Sequence, residues 1–97
     1  MHEINMAPPQ EWGPPAWYLI FTIIDDMPEY PSDTEPYRMF FESLKGVLPC
    51  EMCRQHYTHH IEIYPPPVWS KSALRTWAQN LRDKIRKNKQ GKTHWLL

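Results

Sequence analysis

The chain reads as all-α: a small four-helix bundle, with or without a short fifth helix, carrying a Cys-x-x-Cys pair at the start of the third helix. Three observations predict it. Apolar residues recur at i, i+3, i+4 and i+7 in four segments. The eleven prolines fall between those segments, at Pro8-Pro9, Pro14-Pro15, Pro28 to Pro36, Pro49 and Pro65-Pro66-Pro67, so they punctuate helices and do not mark disorder. No stretch carries a convincing strand pattern.

The first helix is expected to open near Pro14 or Pro15, where proline is tolerated in a first turn, and to bury Trp17, Ile20, Phe21 and Ile24 before stopping ahead of Pro28. Ser32-Asp33-Thr34-Glu35 has the spacing of a capping box, and the second helix repeats the apolar pattern with Tyr37, Phe40, Phe41 and Leu44, closed by Gly46 and Pro49. The third helix starts at the cysteine pair and runs to about Ile63, where three prolines halt it. Ser70 caps the fourth, whose apolar face is Leu74, Trp77, Ala78, Leu81 and Ile85, with Gly91 as terminator. Short connections make the four neighbours antiparallel.

A length of 97 residues gives one domain with little surplus core, so a prosthetic group or a dimer interface is expected to add stability. The boundaries read as a proline-containing arm over 1–11, a helical domain over 12–92 and a tail over 93–97. Formal charge is zero, but beyond Glu62 only Asp83 stands among Lys71, Arg75, Arg82, Lys84, Arg86, Lys87, Lys89 and Lys92. That basic end suits a phosphate or a solvated helix face; with no nucleic-acid motif beside it, nucleic acid is not expected as a partner. Nor is a membrane: the best apolar run, Trp17 to Ile24, is about a third of a spanning helix. The start shows no basic n-region or long apolar stretch, which argues against a secretory signal.

Cys50 and Cys53 are the only cysteines. A disulfide that crosslinks distant segments stabilises through the loop it closes, and this loop is nearly the smallest available, so chemistry explains the pair better than stability does. Zinc is an alternative, with Cys50, Cys53, His56 and His59 as an apparent ligand set. On one helix, however, positions 50 and 59 lie roughly 13 Å apart along the axis, and ligands of one tetrahedral metal lie roughly 4 Å apart. Such a site would need histidines from elsewhere, such as His2 or His94, and no metal is expected. Two buried, inert thiols are the blandest alternative. A thioredoxin-like fold is disfavoured for want of βαβ units.

Over roughly residues 11 to 92 the chain resembles the Erv/ALR family of FAD-linked sulfhydryl oxidases. Trp12-Gly13-Pro14-Pro15-Ala16-Trp17 is similar to the family's WGxxxW opening, Pro49 to Cys53 to its PCxxC, and Trp77-Ala78-Gln79-Asn80 to the approach to its HNxVN segment. His56 fits compact viral members. There are departures: Gln79 replaces a histidine, Arg82 a small apolar residue, and Phe21 a histidine of the first helix. The extra cysteines of many members are absent.

The resemblance implies an FAD-dependent thiol oxidase that makes disulfides in protein dithiols and passes electrons to O2, giving hydrogen peroxide. Cys50 would exchange with substrate, at a helix N-terminus where the field favours the thiolate, and Cys53 would face the flavin. The expected FAD contacts are Trp12, Gly13, Trp17, Phe21, His56, Tyr57, Trp77, Gln79 and Asn80, with Lys84, Lys87 and Lys92 toward the pyrophosphate. A homodimer is also implied, and a virion as one location; the cytoplasm is expected from the missing export signal. The competing readings are a flavin-free structural or virion protein on the same fold and a zinc-binding interaction module.

Overall fold

Four helices form close to where the apolar spacing places them: α1 (Pro9–Asp26), α2 (Glu35–Val47), α3 (Glu51–Ile63) and α4 (Lys71–Gln90). The structure is a computed structural model and describes residues 8–90, with side chains to residue 87. Among the described residues there is no strand, and the architecture is the all-α bundle expected. Gly91, the expected terminator of α4, lies outside the described residues.

Two helix starts differ from expectation. α1 begins at Pro9, not near Pro14 or Pro15, with Pro8 as N-cap and the Glu11 amide donating to the Pro8 carbonyl at 2.8 Å. Pro9 fits because the first helical N–H groups have no intrahelical acceptor anyway. Pro14 and Pro15 then fall inside the helix. They cost the bonds to the carbonyls of Gln10 and Glu11, and both of those residues are exposed, where water can substitute. The capping box is not formed either. Thr34 is the N-cap without a side-chain bond, and Asp33 Oδ1 accepts from the Glu35 amide at 3.1 Å. Glu35 meanwhile engages Arg38 in an exposed i,i+3 pair, so its carboxylate is not turned back to Ser32.

α1 packs on α4 and α2 on α3. The pairs meet where Phe41 sets its ring edge against Trp77, with centroids 5.4 Å apart and planes at 81°, a favoured aromatic geometry. Trp17 and Ile24 of α1, Phe41 of α2, Cys53, Tyr57 and Ile61 of α3, and the whole predicted face of α4 are buried in one core. Ile20, Phe21, Tyr37, Phe40 and Leu44 are half-buried at its edges. Met27 and Val68, from the connections, complete it.

The α1–α2 connection also holds the start of α4. The Glu29 carboxylate accepts from Ser70 Oγ (2.8 Å), Ser72 Oγ (2.8 Å) and the Ser72 amide (3.2 Å), while the Glu29 carbonyl accepts from the Lys71 amide (2.8 Å). Ser70 Oγ in turn accepts from the Ala73 amide at 3.2 Å, the cap its position predicts. A carboxylate at a helix N-terminus is favoured by the dipole. The two serine hydroxyls and the Ser72 amide hold the Glu29 pKa below the ordinary carboxylate value of 4.5. A depressed folded-state pKa contributes stability that is fully present above 4.5 and lost as pH falls through the folded value. Glu29→Gln is therefore expected to lower Tm at pH 7, and the gap from wild type to close as thermal melts are taken down into that acid range.

Candidate functional site

The turn between α2 and α3 sets up the cysteine pair. Cys50 has extended backbone (φ −167°, ψ 121°) and is the N-cap of α3, its Sγ accepting from the Cys53 amide at 3.2 Å. A sulfur thus takes the role that a serine, threonine or aspartate oxygen usually fills. The Leu48 carbonyl fixes the approach, accepting from the Cys50 amide at 2.8 Å and from Arg54 Nη1 at 2.6 Å. One turn of helix then separates two environments: Cys50 is half-buried, whereas Cys53 is 1% exposed in the core. Both are thiols, with no disulfide between them.

Burial, reinforced by a hydrogen bond to Cys50 and by that residue's charge, pushes the Cys53 thiol up to about 12; the nearby Arg54 guanidinium opposes this but does not win. The inner sulfur keeps its proton at neutral pH.

Cys53 forms part of the wall of a narrow apolar cleft, with about 50 Å³ of free space between its side chains. Trp12, Trp17, Tyr57 and Trp77, all expected as cofactor contacts, share that wall. So do Ile20, Leu44, Leu81 and Ile85, which their helical spacing marked only as core, and Ala16 and Leu48, which the helical spacing did not mark. Two hydrogen bonds fix the aromatic walls. Tyr57 Oη donates to the Phe41 carbonyl at 2.7 Å, and burial of that phenol raises its pKa. Trp77 Nε1 donates to the carbonyl of Tyr64, the C-cap of α3, at 2.8 Å.

The remaining candidates spread outward. Gly13 is buried within α1, and His56 and Gln79 are half-buried away from the cleft lining. Asn80 and Lys84 line a second depression with His60, Tyr64 and Trp77, the Lys84 ammonium lying 5.9 Å from the centre of the Tyr64 ring. In that depression burial, with Lys84 and His59 adding to it, lowers the His60 pKa, so its imidazole is neutral at pH 7. Lys87 is exposed and Lys92 lies outside the described residues. Phe21 does not line the apolar cleft. It faces α4, with the guanidinium of Arg75 5.2 Å and that of Arg82 4.7 Å from its ring centre. Charge alone marked these arginines as a phosphate site or a solvated face; their i,i+7 spacing, one face of a helix, was the available signal.

Among the described residues no three His, Cys, Asp or Glu side chains stand together as a metal site. The two cysteines are expected to differ in reactivity. With iodoacetamide at pH 8, peptide mapping by mass spectrometry should find Cys50 alkylated at least tenfold faster than Cys53, because only Cys50 combines access with a sulfur outside the core. Equal rates would show that α3 opens readily at its start.

The profile of the Erv1/Alr family matches residues 14–95. A probable FAD-linked sulfhydryl oxidase of Acanthamoeba polyphaga mimivirus is 34% identical over 59 residues, which are 59% of this chain and 41% of that protein. The chain thus spans well under half the length of this relative. No solved structure matches it. Since the family match takes in the cysteine pair and most of all four helices, the chain belongs to the Erv1/Alr family.

Proposed function

We propose that the chain is an FAD-dependent thiol oxidase that forms disulfide bonds in protein dithiols and delivers the electrons to O2 as hydrogen peroxide. The carrying observation is Cys53 in the wall of an aromatic, apolar cleft, one helical turn from the accessible Cys50. Membership of the Erv1/Alr family and the similarity to a viral protein named as a probable FAD-linked sulfhydryl oxidase support it.

The residues present fit a flavin. Three indoles, a phenol and aliphatic side chains give a dry surface suited to a planar heteroaromatic ring, and Cys53 is the sulfur that borders it. Trp12, Trp17, Tyr57 and Trp77 would hold that ring. When bound, FAD supplies the two-electron acceptor that returns the dithiol to the disulfide.

The chain's own chemistry is thiol–disulfide exchange. With Cys50 and Cys53 oxidised, a substrate thiolate attacks Cys50 Sγ, the S–S bond breaks, and Cys53 leaves and takes up a proton. The second substrate thiol, as thiolate, then attacks its partner sulfur in the mixed disulfide and releases Cys50. The substrate has lost two electrons and two protons, and the cysteine pair has gained them. Exposure selects Cys50 as the sulfur a protein substrate can reach, and the Cys53 amide stabilises negative charge on it as it leaves. Burial keeps the inner position from external thiols.

A homodimer in the cytoplasm or a virion belongs to the same proposal, on the resemblance to compact viral members. No helix among the described residues is long and apolar enough to cross a membrane.

Protein expressed with riboflavin should release FAD on denaturation and consume O2 with a dithiol substrate. Cys53→Ser is expected to retain FAD yet lose its reduction by dithiols. Cys50→Ser keeps a good N-cap and should fold, but its turnover of protein dithiols should fall at least a hundredfold. Protein that neither carries nor binds FAD would refute the proposal, as would normal oxygen consumption by either variant.

A further inference from the structure

The apolar cleft accounts for only half of a dinucleotide. FAD carries a pyrophosphate, and a wall of indoles and aliphatic side chains offers that dianion nothing. The charged half must lie outside, and among the described residues two depressions share a side chain with the cleft. One shares Trp77 with it and contains Lys84, Asn80, Tyr64 and a His60 held neutral. The other shares Trp17 and is lined by Pro14, Tyr18, Phe21, Arg75, Arg82 and Arg86.

Charge favours the second: the first depression also holds an orphaned buried nitrogen, Nδ1 of His60, but on a neutral ring, whereas the second is lined by arginines. Arg75 is paired with Asp25, which leaves Arg82 and Arg86 as the cations of that depression without an ion-pair partner among the described residues. The Nε of Arg82 is buried without an acceptor among the described residues, and so is Nε1 of Trp17. Two orphaned donors on side chains of one depression are what an acceptor-rich group would satisfy. The Arg82 guanidinium also lies over the Phe21 ring, its carbon 4.7 Å from the ring centre, and a guanidinium so held can meet phosphate oxygens as a two-pronged donor. Phe21 and Arg82 are two of the positions at which this chain departs from the family pattern, and they are in contact.

Resting on the FAD reading above, we propose that Arg82, held by Phe21 and assisted by Arg86, binds the pyrophosphate of FAD, in place of the lysines of the same helix. The test is titration of the apo-protein with FAD and with riboflavin, followed by flavin fluorescence, with Tm measured for each variant. Arg82→Gln should weaken FAD at least tenfold and riboflavin less than twofold. Arg86→Gln, at an exposed residue with no stacking role, should weaken FAD about threefold, and Lys84→Gln less than twofold. Unchanged FAD affinity in both arginine variants, or an equal loss of riboflavin and FAD in Arg82→Gln, would overturn the proposal, the latter by showing that Arg82 only packs. ADP that binds at these arginines without displacing FAD would assign them to a free phosphate ligand and also overturn it. Wild-type protein that binds riboflavin but not FAD would overturn this inference alone, whereas wild type that binds neither flavin would overturn the oxidase reading with it.

Discussion

The N-terminus of α3 is the constraint from which the site follows. A helix must satisfy its first amides, and here the Cys53 amide is satisfied by the sulfur of Cys50. That single bond ties the conformation of the dithiol to the start of a helix. Because side chains one turn apart share a face, the helix then carries Cys53 into the core and leaves Cys50 at its edge. The difference in thiol character needs no special catalytic group. It comes from depth.

The rest of the bundle holds that depth in place. Phe41 presses on Trp77 across the two helix pairs, Tyr57 ties α3 to the backbone of α2, and Trp77 ties α4 to the end of α3. Each of these side chains also borders the cleft, so the contacts that assemble the core shape the surface that Cys53 faces. At the opposite end, Glu29 joins the α1–α2 connection to the first turn of α4. A core this small has few residues to spare for either task alone.

Most of the fold was legible because its signals are periodic. Trp17, Ile24, Phe41 and the run from Leu74 to Ile85 are buried as their spacing requires, and the proline triplet ends α3 as expected. Helix starts were less legible, since they depend on which of several competing local bonds wins. Pro14 and Pro15 read as an opening, yet Pro8 and Pro9 supply a better one; Glu35 had a capping partner in sequence but found Arg38. At the site, the cysteines and four aromatics came together, while Phe21 went to the arginine side of α1. Nothing in its own apolar pattern distinguishes those faces. Only the partner helix does, and the partners of Phe21 are arginines that looked like a solvated run.

The central claim is that the cleft beside Cys53 is a cofactor seat and not a packing gap. Ala16 borders it with the smallest side chain of the wall, so Ala16→Phe fills the space without touching either cysteine. Flavin titration combined with thermal melts of the apo-protein tests the claim most directly. The account predicts at least a hundredfold loss of FAD affinity in an apo-protein whose Tm is unchanged or raised, because a ring added to an unfilled apolar space gains contacts. Retained FAD affinity in a folded variant would place the cofactor elsewhere and contradict it.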